Sequence, residues 1–383
     1  MRDLGLGERL KRADWLLLGL GVAFSLLGVV LVGTATTDPD GDATGSQAFE
    51  QLRWTVIGVA ACLLVLAVPY ARIVRWRWAL YALSLVLLAA VLVVGATGGG
   101  TDARRWLRVG SLKLQPSEFV KVVLVVALAG YLRYERSYRR LKGLAIPFAM
   151  TLVPVVLITK QPDLGTALLL IPVLFVLLYV AGARPRHLGV VAATGAVAAV
   201  TLYVVPGLLN EYQKNRVRAF AHQDSGDEVL LREKGYQLHQ SKTVVGSATA
   251  LGLGTGVEAA EAVRFLDERH TDFVFPVLVT AFGTVGTTVF LLVYLLFVAR
   301  VLSTALRVRE PSGRLIAVGV AALFACQAAI NMAMTLGLLP VVGMPLPFVS
   351  KGGSSLLTSF VALGLVLNVG ADPPVEFGRG DFD

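Results

Sequence analysis

Residues 272–299 form the stretch DFVFPVLVTAFGTVGTTVFLLVYLLFVA, in which the only charged residue is Asp272, at the first position. A helix of about 20 apolar residues crosses a bilayer core about 30 Å thick, so this stretch predicts a transmembrane span. An acid, a base and an imidazole immediately precede it, in Glu268-Arg269-His270-Thr271. Ionisable groups at a membrane boundary are costly and mark function more often than packing. Asp272 is therefore the first candidate functional residue.

The composition extends this interpretation to the whole chain. Of 383 residues, 55% are hydrophobic and 16% are charged, and the mean hydropathy is +0.70. Soluble domains carry about 25% charged residues, so this composition indicates an integral membrane protein. Cys62 and Cys326 both lie in apolar runs and give neither a disulfide framework nor a metal-binding spacing. No Ala-x-Ala site follows the first apolar run, so no cleaved signal peptide is expected.

Hydropathy predicts an all-α integral membrane protein with about ten transmembrane helices and one membrane domain over residues 1–383. A large extracellular loop, about residues 210–271, separates spans seven and eight, and a short cytoplasmic tail covers 371–383. Within the large loop, residues 235–245 are predicted to form an amphipathic helix, and a glycine-rich run over 246–256 follows it. The predicted spans are 13–33, 54–70, 77–96, 116–132, 144–159, 163–182, 187–209, 272–299, 314–339 and 353–371.

The distribution of Lys and Arg predicts the orientation. Basic residues cluster around 2–12, 72–77, 133–142, 184–186 and 300–314, on alternate loops. By the positive-inside rule this side is cytoplasmic, and both termini lie there. Several cations nevertheless fall on the opposite side, against this rule. An anionic ligand at the outer face is the simplest reason for them.

The first polar cluster at the mouth of a predicted span lies at the second outer loop. Arg105 and Trp106 precede Gln115-Pro116-Ser117-Glu118, and Lys121 lies three residues after Glu118, on the same helix face. Glu118 and Lys121 are either an intramembrane ion pair that joins helices or direct ligand contacts. Trp106 is either an interfacial anchor or a surface for stacking a sugar.

The second cluster is Lys160-Gln161-Pro162-Asp163. Asp163 falls in the first turn of a predicted helix, where exposed amides and the helix dipole favour a carboxylate. It is either a capping acid or a carboxylate that faces a polar cavity and could bind a cation.

The third cluster contains Asp272. Thr271 or Asp272 could cap the eighth span, but capping does not explain Glu268, Arg269 and His270 beside them. Burial raises the pKa of a carboxylate toward working pH, so Asp272 is a candidate general base. His270 is a second titratable candidate.

The fourth cluster is Ser350-Lys351-Gly352-Gly353, which follows a proline-rich loop and opens the last span. Glycines allow the backbone to approach a ligand, and amides at a helix N-terminus suit phosphate or pyrophosphate. The alternative is a flexible re-entrant turn. Together the four clusters predict an outward-facing polar cavity for an anionic, membrane-borne substrate.

At these residues the chain resembles the SEDS family of RodA and FtsW, multi-span peptidoglycan polymerases. The resemblance covers nearly the whole chain. It is carried by Arg105-Trp106 with Gln115-Pro116-Ser117-Glu118, by Gln161-Pro162-Asp163-Leu164-Gly165, by Gly235-Tyr236-Gln237 with Gln240-Ser241, by Glu268-Arg269-His270-Thr271-Asp272-Phe273, and by Leu339-Pro340 through Gly352-Gly353-Ser354-Ser355. The sequence of the Asp272 segment, residues 268–273, resembles RodA more than FtsW.

This resemblance implies a glycosyltransferase of the bacterial cytoplasmic membrane that polymerises lipid II during cell elongation. The 4-hydroxyl of one disaccharide would attack the anomeric carbon of another, releasing undecaprenyl pyrophosphate with inversion. Asp272 matches the family's catalytic Asp, and Glu118 with Lys121 matches its acid–base pair in the fourth span. The implied partner is a class B penicillin-binding protein transpeptidase within an elongation or division complex.

Our hypothesis adds charges for the leaving pyrophosphate. Arg105, Lys160, Lys242 and Lys351 would balance it, together with a divalent cation, Mg²⁺ or Mn²⁺, near Asp163 or Asp272. A hydrophobic groove between spans would hold the lipid tails. We expect no organic cofactor and no nucleic-acid partner.

Three places depart from the family pattern. Thr280-Ala281-Phe282-Gly283 stands where the family usually has Glu-Glu-Leu-Gly, and Lys351 stands where it usually has Tyr. Gly246-Ser247-Ala248-Thr249 replaces a usual Gly-Ser-Gly-Gly.

The alternatives to this function are a flippase for lipid-linked saccharide, a division-specific polymerase like FtsW, and an inactive scaffold. A flippase needs polar residues along its path and on both faces, whereas the acids here collect on the outer side.

Overall fold

The fold was described from a computed structural model of the chain. The structure describes residues 5–36, 46–98, 101–110, 112–135, 137–204 and 235–372, together with residues 214, 218, 220, 221 and 223 singly. The predicted tail lies outside the described residues apart from its first two positions, as does most of the predicted outer loop before residue 235.

The protein is an all-α, multi-span membrane protein, as the hydropathy predicts. Over the residues that the structure describes, each of the ten predicted spans coincides with a long helix. Within the same residues, eight helical segments are long and apolar enough to cross a membrane. The exact count of ten spans stays a prediction. The helices are α1 Leu6–Arg12, α2 Trp15–Thr36, α3 Ser46–Ala67, α4 Tyr70–Arg75, α5 Arg77–Val94, α6 Pro116–Leu132, α7 Ala145–Thr159, α8 Leu164–Ala181, α9 Pro185–Val204, α10 Tyr236–Gly246, α11 Val257–Val263, α12 Val274–Arg307, α13 Pro311–Thr335 and α14 Gly353–Ala371.

Local sequence signals set several of the helix ends. Pro116 begins α6 and Pro311 begins α13, in the first turn, where the missing N–H costs nothing. Glu310 caps α13 by accepting a hydrogen bond from the amide of Gly313 at 2.6 Å. Gly182 ends α8 in the left-handed region, with φ 102°.

A small antiparallel sheet occupies the second predicted outer loop, where the sequence analysis expects no strand. It consists of β1 Ala96–Gly98, β2 Thr101–Val109 and β3 Leu112–Leu114, in the order β1-β2-β3. Leu107 pairs with Leu114, and Gly110 turns the chain with φ 63°. A short hairpin satisfies its backbone hydrogen bonds locally, which explains how so short a loop becomes ordered.

Helix α12 extends further than predicted and is interrupted near its start. Gly283 has φ 65° and ψ −169° inside the helix, so the regular hydrogen bonding stops there. The glycine-rich run after α10 packs against this break. The amide of Leu253 donates to the carbonyl of Thr280 at 2.9 Å, and the amide of Thr284 donates to the carbonyl of Thr249 at 3.1 Å. The run therefore supplies the partners that the interrupted helix lacks.

The packing of α3 against α14 brings two helices into close backbone contact. A Cβ atom on Gly364 would lie 2.6 Å from the carbonyl oxygen of Cys62, and one on Gly58 would overlap the ring of Phe360. Small residues at such an interface let membrane helices approach closely. This packing fixes the start of α14, which carries the fourth polar cluster.

The two ends of the described chain meet around a buried arginine. Arg9 is 2% exposed, and its guanidinium donates to Oδ1 of Asn368 at 2.7 Å and to Oδ1 of Asp372 at 3.2 Å. Asn368 also accepts from the amide of Tyr70 at 3.0 Å and donates to the carbonyl of Val65 at 2.6 Å. One buried asparagine thus joins α1, α14 and the turn between α3 and α4.

Candidate active site

Asp272 lies just before α12 and does not hold the capping position. The helix begins at Val274 with Phe273 as its N-cap, and no side chain caps it. Thr271, the other predicted cap, donates its hydroxyl hydrogen to Oε2 of Glu268 at 2.7 Å. The capping interpretation of Thr271 and Asp272 is therefore wrong.

The backbone of the Asp272 segment is held by two other parts of the chain. Nδ2 of Asn331, in α13, donates to the carbonyl of Asp272 at 2.8 Å. The hydroxyl of Ser350 donates to the carbonyl of Thr271 at 2.6 Å, and the amide of Lys351 donates to the carbonyl of His270 at 2.9 Å. The third and fourth polar clusters are thus joined.

Gly343 connects Asp272 with the second cluster. It has φ 71°, and Oδ2 of Asp272 lies 3.1 Å from the point where a Cβ atom on this glycine would be. On its other side, the carbonyl oxygen of Gly343 lies 3.0 Å from the position of a Cβ atom on Gly165. Only glycine suits both the backbone conformation and the space at residue 343.

Asp163 proves to be a capping acid that also joins two helices. Its Oδ1 accepts from the amide of Thr166 at 3.2 Å, so it caps α8. Its Oδ2 accepts from the hydroxyl of Ser117 at 2.8 Å and from Nε2 of Gln115 at 3.0 Å. Both oxygens of a carboxylate that is 4% exposed are thus in use, which favours the capping alternative over a cation ligand.

Arg105 lies beside the same turn. Its guanidinium donates to the carbonyls of Gln161 at 3.0 Å and Pro162 at 2.6 Å. Arg105 therefore positions the turn before Asp163 and would bind an anion only with the hydrogens that these bonds leave unused. Trp106 lies in β2 opposite Ala96 and is half-buried.

Glu118 and Lys121 form the intramembrane ion pair that was one of the two predicted alternatives. The Nζ of Lys121 lies 2.7 Å from Oε2 of Glu118, and both side chains are about 5% exposed. Lys121 also donates to Oε1 of Gln327 at 3.1 Å, and Nε2 of Gln327 donates to the carbonyl of Pro345 at 2.9 Å. The pair thus joins α6 to α13 and, through Gln327, to the loop that carries Ser350.

The fourth cluster is also fixed from the side of α3. The ammonium of Lys351 lies 3.1 Å from Oε2 of Glu50. Gln51 donates to the carbonyl of Ser350 at 3.2 Å. A Cβ atom on Gly353 would overlap the indole of Trp54, and Gly352 is the N-cap of α14. The flexible-turn alternative therefore does not hold for these described residues.

Two of the predicted cations lie at the end of α7 and in α10. Lys160 is the exposed C-cap of α7. Lys242, in α10, packs along Gly337, and its ammonium donates to Oε1 of Gln223 at 3.3 Å. The structure therefore brings together Asp163, His270, Asp272, Ser350 and Lys351, while the contacts described for Lys160 and Lys242 do not reach them.

The pKa of His270 is lowered in the folded protein. Partial burial lowers its pKa below the usual value, and the charges of Lys351 and Arg269 lower it further, while Glu268 acts in the opposite direction. The environment of His270 therefore favours the neutral imidazole, which can accept a hydrogen bond.

A metal site built from protein ligands alone does not fit this arrangement. Among the described residues, no group of three or more His, Cys, Asp or Glu side chains is placed to hold a metal ion. Asp163 already uses both oxygens. Mg²⁺ in phosphate chemistry needs only one or two carboxylates, since substrate oxygens and water complete its shell, so Asp272 could serve with a bound pyrophosphate.

Sequence analysis missed three residues that hold the site together: Gln51, Gln327 and Asn331. Gln327 and Asn331 are four residues apart inside the ninth predicted span, so they share one helix face. Polar side chains inside a span usually face the protein interior, and this signal could have identified both. Gln51 falls outside the predicted second span, because that span begins at residue 54 whereas the observed helix α3 begins at Ser46.

Comparison with known proteins shows the family of the chain. The family model described as cell cycle protein, for FtsW, RodA and SpoVE, matches residues 12–373. The chain belongs to this family. A probable peptidoglycan glycosyltransferase FtsW from Trichlorobacter lovleyi is 34% identical over 369 residues, covering 95% of this chain and 94% of the relative. The peptidoglycan glycosyltransferase MrdB of Escherichia coli K12 is 34% identical over 318 residues, covering 82% and 84%.

A solved structure of a peptidoglycan synthase complex, described as coordinating polymerization and crosslinking, contains a similar chain. It is 34% identical, has a TM-score of 0.78, and covers 94% of this chain and 97% of that chain. The FtsW, RodA and SpoVE family therefore accounts for the fold over nearly the full length.

The residues that depart from the family pattern make defined contacts in the structure. At residue 280 the hydroxyl of Thr280 donates to the carbonyl of Pro276 at 2.9 Å, within its own helix. The carbonyl of Ala281 accepts from the amide of Gly254 at 3.0 Å. The segment that replaces the usual acids thus belongs to the joint between α12 and the glycine-rich run, while Lys351 pairs with Glu50.

Proposed function

We propose that the protein is a peptidoglycan glycosyltransferase that polymerises lipid II into glycan strands at the outer face of the bacterial cytoplasmic membrane. Both termini would lie in the cytoplasm. The names of its relatives support the reaction class, and the four joined clusters support the location of the site. The observation that carries the proposal is the position of Asp272, a carboxylate fixed by its backbone where three polar segments meet.

The reaction requires a base for the acceptor hydroxyl. Asp272 would remove the proton of the 4-hydroxyl as its oxygen forms a bond to the anomeric carbon of the donor. The bond between that carbon and the pyrophosphate oxygen breaks with inversion, and the electron pair leaves on undecaprenyl pyrophosphate. Asp272 then releases the proton to water, which restores the base.

The leaving pyrophosphate needs positive charge. Lys351 is the best-placed candidate, because its backbone amide binds the carbonyl of His270. Its ammonium contacts Oε2 of Glu50, which is partly exposed, at 3.1 Å and Oε1 of Gln47 at 3.3 Å. Arg105 could contribute its remaining hydrogens after binding the turn at Pro162. Donors fixed before the reaction stabilise developing charge without further reorganisation.

We further propose a requirement for Mg²⁺ or Mn²⁺, with Asp272 as the protein ligand and substrate oxygens completing the shell. When bound, the cation would neutralise part of the pyrophosphate charge.

The transpeptidase partner is proposed by similarity to a chain of a synthase complex that coordinates polymerization and crosslinking. A role in elongation is the main proposal, and a division-specific role is the alternative. The relatives named FtsW do not favour division over elongation, since the relative named MrdB is equally identical to this chain, at 34%.

The test is glycan polymerisation from purified lipid II, with and without the partner and divalent cations, for wild type and Asp272→Asn. The matched control is Asp267→Asn, an exposed carboxylate five residues earlier that accepts a hydrogen bond from Gln237. We expect long glycan from wild type and control only, with all three proteins equally folded. Long glycan from Asp272→Asn would overturn the assignment of the base, and activity in EDTA equal to that in Mg²⁺ would overturn the cation.

A further inference from the structure

A basic cavity lies at the opposite end of α6 from Glu118. It has a volume of about 280 Å³ and opens between the ends of α6 and α8 and the start of α13. Its floor is apolar, with Leu132 and Leu315, and its rim carries the three arginines Arg133, Arg139 and Arg314. The cavity shares no residue with the candidate active site.

The acid at this rim is fully engaged by one of the three arginines and by its own helix. Oε1 of Glu310 lies 2.7 Å from Nη1 of Arg133, and its Oε2 accepts from the amide of Gly313 at 2.6 Å. Arg139 and Arg314 form no ion pair with any residue that the structure describes, and both are exposed. Two guanidinium groups with no ion-pair partner among the described residues therefore lie at the rim of one cavity.

Helix electrostatics explains one of these arginines and not the other. Nη2 of Arg139 lies 3.8 Å from the position of a Cβ atom on Gly182, at the C-terminal end of α8, where a cation stabilises the helix dipole. Arg314, by contrast, lies in the first turn of α13, where the dipole disfavours a cation. An anion between the two side chains would remove this unfavourable interaction.

The wall of the cavity continues onto a surface suited to hydrocarbon. Val180 lines the cavity and is 40% exposed, and its neighbour Tyr179 is 63% exposed, both in the last turn of α8. Exposed apolar side chains on a membrane helix contact acyl chains. A free phosphate would use the arginines alone, whereas a phospholipid would use the arginines and this surface.

We propose that this cavity binds the phosphate headgroup of an anionic phospholipid, with an acyl chain along Val180. Guanidinium groups bind phosphate through two parallel hydrogen bonds, and basic pockets between membrane helices are known headgroup sites. The volume is slightly below that of sites which enclose a whole drug-sized ligand, so only the headgroup enters. This inference does not rest on the proposed function.

The experiment measures lipid binding to the full-length protein in a neutral detergent. Native mass spectrometry would count phosphatidylglycerol and phosphatidylcholine bound to wild type, to Arg139→Gln/Arg314→Gln, and to Arg140→Gln/Arg186→Gln. The last variant is the control. It removes two exposed arginines that do not line the cavity, so its net charge changes by the same amount as that of the cavity variant. We expect about tenfold weaker phosphatidylglycerol binding in the cavity variant, with wild-type binding in the control and weak phosphatidylcholine binding throughout.

Two outcomes would overturn the proposal. Equal loss of phosphatidylglycerol in both double variants would show attraction by general surface charge. Displacement of the lipid by millimolar inorganic phosphate would show a site for free phosphate instead. The single variant Arg314→Gln provides a second measurement with a smaller change in charge, and thermal unfolding of every variant checks that the bundle is intact.

Discussion

Nδ2 of Asn331 donates one hydrogen to the backbone carbonyl of Asp272, 2.8 Å away, and the other to the carbonyl of Met344, 2.6 Å away. Asn331 is fully buried in α13. One side chain therefore sets the distance between the candidate base and the loop that returns to Lys351. The geometry of the site depends on a helix that contributes no group to the chemistry.

Replacement of this amide should impair catalysis more than folding. In Asn331→Ala both carbonyls lose their donor, at a cost of about 1–3 kcal/mol for each buried group left unsatisfied. Because misplacement of a reacting group by about 1 Å can cost about 100-fold, we expect polymerisation to fall by about 10- to 100-fold. Rates from purified lipid II, beside thermal unfolding, would measure both effects. Ala329→Ser, exposed on the same helix, should retain wild-type activity, and an unchanged rate in Asn331→Ala would contradict this role.

The Glu118–Lys121 pair should behave as a buried unit. Removal of one partner leaves an uncompensated charge within the membrane, so Glu118→Ala and Lys121→Ala should each destabilise by about 3–5 kcal/mol. The double variant should lose less than the sum of the two, because no lone charge remains. A double-mutant cycle by thermal unfolding in detergent would measure the coupling. Additive single and double values would show that the two side chains do not interact.

The interrupted helix gives a prediction about backbone strain. Gly283→Ala would place a Cβ atom at φ 65° and against the backbone of Ala250 and Gly252. Such strain costs about 1–3 kcal/mol, so we expect lower stability and release of the glycine-rich run. Hydrogen exchange at the amides of Leu253 and Thr284 should rise. Gly19→Ala, where a Cβ atom meets open space, is the control and should leave these amides protected.

His270 should make stability depend on pH on the acid side. Its pKa is lowered in the folded protein, so the unfolded chain binds more protons between the folded pKa and about 6.5. Stability is therefore complete above about pH 6.5 and falls as the pH drops through the folded pKa of His270. Thermal unfolding from pH 7.5 to 5 should show a smaller loss for His270→Gln than for wild type. His239→Gln, in which the replaced imidazole is exposed, should follow wild type.

Removal of Lys351 should change that titration. Its charge lowers the pKa of His270, although burial is the larger cause. Lys351→Gln should therefore move the acid-side transition to slightly higher pH, and it should weaken binding of undecaprenyl pyrophosphate if this ammonium contacts the leaving group. Thermal unfolding over the same pH range measures the first effect, and product inhibition in the polymerisation assay measures the second. A transition at an unchanged pH would contradict the electrostatic contact.

Hydropathy was sufficient to place the long helices, since about 20 apolar residues have few alternatives to a span. It could not place the break at Gly283, because the partners of that break come from the loop over residues 249–254, far from it in sequence. The outer hairpin could not be predicted with equal ease, because its alternation of apolar and polar residues is short. It covers only Leu107-Arg108-Val109 and Leu112-Lys113-Leu114. For Asp163 and Glu118 the sequence left two interpretations open, and only the contacts with Ser117 and Lys121 decide between them.

The hydrogen bonds that bury Arg9 have a consequence for biosynthesis. Arg9 and its partner Asn368 are separated by 359 positions, so the ribosome adds the partner only when nearly all of the chain has been made. Until then the arginine lacks the buried amide oxygen that accepts from it in the folded protein. A chain truncated before α14 would lack Asn368, and it would leave uncovered the face of α3 that packs against α14. The N-terminal arginine therefore reaches its contact with Asn368 only after the last helix has been made.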